Sequence, residues 1–283
     1  GSMSEASKEL FISQPGLTTS IRELETEMGI KIFTRTNKGV VTSNEGERFL
    51  GYARQVLEQA SLLEGVYKSG TKIKQQFCVS TQHYSFAVNA FVDLIRRFAG
   101  EEYDFSLRET ETYEIIDDVA KMKSEIGILY LNSFNKDALM KIIKSKSLTF
   151  TELFTAKPHV FVSTDHPLAD KKSVTMEELA DYPYLSFEQG EHNSFYYSEE
   201  IFSTVGRTKN IRVTDRATLF NLLIGLNGYT VCSGVIDNEL NGDNITAIPL
   251  DEEGNMKIGY IENKKILHSN LAEAYIEALK KHI

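Results

Sequence analysis

The sequence predicts a multi-domain chain: a small, mainly α head with a two-stranded turn, then a long helix, then a larger α/β portion of two lobes. Three observations lead there. A capped amphipathic helix is followed by a short basic hairpin, an apolar four-three alternation then runs for about three heptads, and from residue 77 onward strands alternate with helices.

The elements follow in order. Residues 4–10 are expected to form a short helix, and Ser13 to cap a second one, with Pro15 in its first turn, where a missing N–H costs nothing. Leu17, Ile21, Leu24 and Met28 make one apolar stripe on that helix, which stops at Gly29. The other edge shows Gln14, Thr18, Thr19 and Arg22, groups suited to base edges and phosphates. Residues 31–42 read as two short strands around Asn37-Lys38-Gly39, a wing bearing Lys31, Arg35 and Lys38.

Thr42 or Ser43 is expected to cap the next helix, with Glu45 completing a capping box on Thr42. Phe49, Ala53, Val56, Ala60, Leu63 and Tyr67 then form a seam too long for a small head to cover, so it predicts a partner helix and a homodimer or homotetramer. A linker at 69–72 ends this part. Residues 1–42 are assigned to the helix-turn-helix head with its wing and 43–70 to the dimerisation linker helix.

In the α/β portion, Phe77–Ser80 is a buried strand, followed by a helix carrying Val88, Phe91, Ile95 and Phe98. Further strands are expected at 105–109, 126–130, 160–162, 184–187, 211–213, 229–232, 245–248 and 258–261. Thr175 and Glu178 form a capping box for a short helix, and Asp215 caps a helix with Leu219, Leu222, Leu223 and Leu226. The alternation implies mainly parallel sheet covered on both faces.

Composition narrows the function. The formal net charge is -9, so any nucleic-acid surface has to be local to the head. The two cysteines, Cys78 and Cys232, sit in apolar runs and read as reduced buried thiols. No apolar run approaches the roughly 18 residues that cross a bilayer, and there is no basic leader with a cleavage site, so a cytoplasmic protein without a membrane partner is expected. His83, His159, His166, His192 and His268 lack chelating spacing, and no phosphate loop, Gly-x-Ser-x-Gly elbow or His-Glu-x-x-His pair occurs. No catalytic residue, metal or cofactor is therefore expected, and the chain is read as not an enzyme.

Glu5-Ala6, Leu10, Ser13-Gln14-Pro15, Leu17, Ile21, Leu24-Glu25, Gly29, Phe33, Arg35, Gly39 and Glu45-Gly46 together resemble the head of LysR-type transcriptional regulators. The resemblance continues more loosely through Asp165 to Ala169, the turn from Gly228 to Gly234 and a return crossing near Pro249. It implies a winged helix-turn-helix joined to a periplasmic-binding-protein-like effector domain that senses a small molecule, and it implies the division of that domain into lobe 1, residues 71–150 and 251–283, and lobe 2, residues 151–250. Family members open with a further helix packed on the recognition helix. The sequence begins after it, and the head is expected to lack that part of its core.

The resemblance assigns Ser13, Gln14, Pro15, Thr18, Thr19, Arg22, Arg35 and Lys38 to operator DNA. It places the effector between the lobes, at strand ends and helix starts. There Ser80, Thr81, Gln82, His83, Thr110 and Tyr130 face Phe187, Gln189, Asp215, Arg216 and Thr218, an arrangement expected to suit a small anionic metabolite. Two competing readings of the two-lobed part are a transporter's solute-binding protein and an enzyme. The missing export signal and the head in front weigh against the first, and the missing motifs against the second.

Overall fold

Ser13 accepts a hydrogen bond from the Gly16 amide at 3.2 Å, and that cap opens the longer of the two helices at the head. The structure, a computed structural model, describes residues 2–36, 39–68, 75–98, 100, 102–236 and 242–283, without the side chains of 35, 58, 59 and 61–68. It divides into two compact units, Gly1–Ile73 and Lys74–Ile283.

In the first unit, α1 (Met3–Glu9) packs on α2 (Gln14–Met28), which ends at Gly29 in the left-handed conformation. The antiparallel pair β1 (Phe33–Thr36) and β2 (Gly39–Thr42) follows, and α3 runs from Asn44 to Lys68. The cap of α3 is Ser43, whose hydroxyl accepts from the Gly46 amide at 2.9 Å, rather than a box between Thr42 and Glu45. Gly46 is required by close approach, because a Cβ there would lie 2.2 Å from the Ile32 carbonyl oxygen.

Glu25 welds helix to wing. Its Oε1 accepts from the Ile32 and Phe33 amides at 2.8 and 3.0 Å, and its Oε2 meets Lys31 Nζ at 3.0 Å. Those bonds hold its carboxyl below the usual range, with the Phe33 amide contributing most. The apolar stripe is only partly covered: Leu17, Ile21 and Leu24 are half-buried, while Met28 is 48% exposed, against the expectation that it is buried. The reason is geometric, since the elements described around α2 fully bury few side chains, Ile32 foremost.

The second unit holds a five-stranded sheet in the order β4-β3-β5-β12-β6. Its strands are β3 (Gln75–Thr81), β4 (Tyr103–Glu109), β5 (Ile126–Leu131), β6 (Leu148–Ala156) and β12 (Met256–Asn263). β3 is parallel to β4 and β5, and β12 returns antiparallel between β5 and β6. Helices α4 (Ser85–Phe98), α5 (Thr112–Ala120), α6 (Lys136–Ser145) and α8 (Asn270–Leu279) belong to this layer. Every residue of β5 is buried, as an apolar run covered on both faces must be. α4 turns Ala87, Ala90, Phe91 and Leu94 inward, leaving Val88, Ile95 and Phe98 half-buried, so its core face lies one position from the expected one.

The other lobe is less parallel than expected. β7 (His159–Ser163) lies between β10 (Thr230–Cys232) and β11 (Ile245–Pro249), antiparallel to both. The parallel pair β8 (Tyr184–Phe187) and β9 (Asn210–Val213) stands beside them, and α7 (Arg216–Leu226) covers Leu185, Val213 and Phe161. Between β8 and β9 the chain makes only a short 3-10 turn, Phe195–Tyr197. Thr175 and Glu178 form the reciprocal box at 3.3 and 3.0 Å, but it closes a turn rather than a helix. Among the described residues no helix is long and apolar enough to cross a membrane.

Candidate effector cleft and nucleic-acid surface

The two lobes of the second unit meet where β3 runs into α4. His83 follows β3, and its backbone N–H donates to Glu199 Oε2 at 2.9 Å while its ring Nδ1 lies 2.9 and 3.1 Å from the two carboxylate oxygens. The ring stacks on Phe187 at the end of β8, with centroids 3.7 Å apart and planes 3° off parallel. Burial alone would lower the His83 pKa, but Glu199, joined by Glu109 and Glu200, outweighs it and raises it.

Further contacts draw the lobes together. Gln189 accepts from the Thr112 amide at 3.0 Å and donates to Glu199 at 3.2 Å. Arg216, the first residue of α7, pairs with Glu109 at the end of β4 at 2.9 Å. Tyr113 stacks on His192 with centroids 3.5 Å apart. What remains between His83, Phe187, Glu199, Glu200, Arg216 and Ser233 is a cavity of about 40 Å³, room for about one water.

Glu200 is 3% exposed, and its Oε1 accepts from the Phe187 amide at 2.8 Å. Burial, with Glu199 beside it, pushes its pKa up to about 8. Glu109 is also raised, chiefly by burial, despite Arg216. Phe187 and Glu200 continue into a wider groove of about 980 Å³ that reaches Tyr184, Arg207 and Arg212.

The residues expected at the effector site thus divide. His83, Phe187 and Arg216 line the cavity and Gln189 the adjoining groove. Ser80 turns the other way, donating to Asp118 at 2.8 Å and meeting Ser124 at 2.8 Å. Thr81 donates to the Gln82 carbonyl at 2.7 Å. The Gln82 amide donates to Thr112 at 2.6 Å and accepts from the Tyr130 amide and the Tyr84 hydroxyl, both at 3.0 Å. Tyr130 is buried in the main core, and Thr110 bonds back to β3. Asp215 caps α7 through the Thr218 amide at 2.8 Å, both residues being exposed. The groups expected to receive an anion are therefore largely spent on the protein's own donors and acceptors, and carboxylates stand in the cavity wall instead. Sequence reasoning missed Glu109, Glu199 and Glu200; the adjacent acidic pair between two strands was the available signal.

In the head, Gln14, Thr19 and Arg22 are exposed along one edge of α2, with Ser13 and Pro15 at its start. Thr18 is half-buried and its hydroxyl donates to the Gln14 carbonyl at 2.9 Å. Lys38 and the Arg35 side chain lie outside the described residues. On α3, Phe49 and Ala53 are half-buried and Ala60 exposed, while Tyr52, Val56 and Leu57 are 67–70% exposed. The side chains of Leu63 and Tyr67 lie outside the described residues. Among the described residues no His, Cys, Asp and Glu gather as a metal site, and both cysteines are free thiols.

The family model of the LysR substrate binding domain matches residues 79–283, and that of the bacterial regulatory helix-turn-helix protein, lysR family, matches residues 1–47. The chain belongs to the LysR family. This LysR-family chain is 28% identical over 192 residues to the transcriptional regulator CysB of Burkholderia cenocepacia, an alignment covering 66% of the chain and 58% of that protein. It is 28% identical over 187 residues to the uncharacterized regulator YnfL of Escherichia coli, covering 65% and 59% respectively. The LysR-family chain thus spans somewhat under two thirds of these relatives. In fold it matches a single-residue variant of full-length BenM with a TM-score of 0.52 at 20% identity, covering 99% of this chain and 90% of that one.

Proposed function

We propose that this LysR-family protein is a DNA-binding transcriptional regulator that senses a small molecule in the cleft between its lobes. The observation that carries the reading is the pairing, in one chain, of an exposed polar edge on a capped helix beside a wing with a two-lobed domain whose cleft is lined by buried ionisable groups. In the reading, Gln14, Thr18 and Thr19 meet base edges, and Arg22, Arg35 and Lys38 hold phosphates. The exposed apolar run Tyr52, Val56 and Leu57 on α3 supports a homodimer or homotetramer, which we assign to the cytoplasm with no catalytic role.

A ligand that bridges the lobes biases their closure, and through α3 the spacing of paired heads on an interrupted palindrome. Gel shift on the intergenic DNA upstream of the gene tests the DNA part. Arg22→Ala is expected to weaken binding to every sequence and reduce the salt slope by about 1, whereas Gln14→Ala changes sequence preference. An unaltered slope and footprint in both variants would remove the assignment.

A further inference from the structure

The wall of the cleft points to the chemistry of its ligand, and this inference rests on the cleft being the effector site. Glu199 and Glu200 line the cavity beside Arg216, whose charge Glu109 behind it already matches, so Glu199, and Glu200 once ionised, are left to pair with a cation. The cleft also displays what it favours. A flat imidazole lies face to face on Phe187 at 3.7 Å and bonds Glu199, and that occupant is the protein's own His83. An aromatic face beside carboxylates attracts a cation twice over, through ring quadrupole and through charge.

The adjoining groove supplies room for the rest of a molecule, since Phe187 and Glu200 line both spaces. It also holds a polar group waiting for a partner. Tyr184 is 4% exposed, lines that groove, and its hydroxyl makes no hydrogen bond; Arg207, stacked 3.8 Å above the Tyr184 ring, has a buried Nη2 without one, a donor that calls for an acceptor on the remainder of the ligand and not for its cationic group. Buried groups of that kind are costly unless something satisfies them.

We propose that the effector is a small organic cation, whose protonated nitrogen takes the place of the His83 ring between Phe187 and Glu199 and whose remainder occupies the groove beside Tyr184. Entry requires His83 to swing out, because a water-sized cavity admits no organic ligand. Displacement of that ring breaks its hydrogen bonds to Glu199, on the segment before β9, and leaves only the His83 backbone bond there, so ligand binding and lobe geometry are coupled. A cation arriving beside Glu200, whose carboxyl burial keeps protonated at neutral pH, releases a proton.

The test uses the full chain, with histamine as cation probe and sulfate as anion probe, titrated calorimetrically at constant ionic strength in two buffers of different ionisation enthalpy. Histamine is expected to bind with proton release, to bind about tenfold more tightly to His83→Ala, and to lose tenfold or more in Glu199→Gln, the worth of a charge-assisted hydrogen bond. Phe187→Leu, which keeps an apolar wall, is expected to weaken it as well. Absence of histamine binding to both the parent and His83→Ala overturns the cation assignment. Sulfate binding that Arg216→Ala abolishes also overturns it, while leaving the cleft as effector site. Binding of either probe that ignores every one of these substitutions removes the cleft reading itself.

Discussion

Replacing Glu200 by Gln is expected to stabilise the protein at neutral pH and flatten its pH dependence. The parent carboxyl is 3% exposed and its pKa is raised from 4.5 to about 8 in the folded protein, mainly by burial. A carboxyl whose pKa rises on folding keeps its proton in the native state after the unfolded chain has lost it. Stability is therefore fully present below the unfolded pKa and falls as pH rises towards the folded one. Each unit of that gap is worth about 1.4 kcal/mol, so the cost is of order 3 kcal/mol at pH 7 and of order 5 kcal/mol once pH passes 8. Gln matches the neutral carboxyl in shape and can still accept from the Phe187 amide, so it escapes this cost.

The assay is urea unfolding followed by circular dichroism at pH 5, 6, 7 and 8, tyrosine emission serving as second probe since the chain has no Trp. The parent is expected to weaken steadily across that range. The difference between the two proteins should vanish near pH 4.5 and grow to a few kcal/mol by pH 8. His83, whose pKa is also raised, weakens with rising pH in both proteins and cancels in the difference to first order. Parallel pH profiles, or a Gln variant less stable than the parent at pH 7, would falsify the assignment of Glu200 as a carboxyl held neutral by burial.

Other expectations follow from single contacts. Gly127→Ala in β5 puts a Cβ 2.8 Å from side-chain carbons of Ile115 and Ile261, and overpacking of that kind should cost about 1–3 kcal/mol in the same urea titration. Asp118 is 1% exposed, accepts from Ser80 at 2.8 Å and pairs with Arg108 and Lys123 at 3.2 and 3.3 Å. Asp118→Ala should cost about 2–3 kcal/mol, less than a fully buried pair because both cations are half in water, and midpoints unchanged by it would refute the role. Leu57→Glu on α3 should reduce the assembly mass seen by light scattering without changing urea stability of the second unit; an unchanged mass would move the oligomer interface elsewhere.

Several elements were legible because they depend on neighbours in sequence. The cap at Ser13, the stop at Gly29, the cap at Asp215 and the strand Tyr184–Phe187 all stand where the residues predict them. The two caps and the stop are each set by a hydrogen bond or a backbone preference within a few residues, so the chain carries that information locally, and the strand shows in its run of β-forming residues. The core face of α4 was shifted because its apolar arc, opposite Asn89, Asp93, Arg96 and Arg97, is broader than the buried face, and only the packing of α8 and the sheet chooses within it.

The site shows where that locality ends. Hydroxyls and amides at the end of β3 read as an anion receptor when viewed alone, but the fold brings Asp118, Ser124, Thr112 and the Tyr130 amide against them and consumes their hydrogen-bonding capacity. Glu199 and Glu200 lie on a segment with no periodicity to mark it, more than a hundred residues from His83, and only lobe packing sets them against its ring and raises Glu200 towards neutrality. By itself the sequence determined the family and the caps at Ser13 and Asp215, because those follow from short-range pattern and backbone chemistry, but it did not mark the helix Lys136–Ser145 or the strand Leu148–Ala156. Tertiary structure alone decided which polar groups remain free and which charges are desolvated. Burial and the pairing of distant residues are properties of the packed chain, and they are what give the cleft its chemistry.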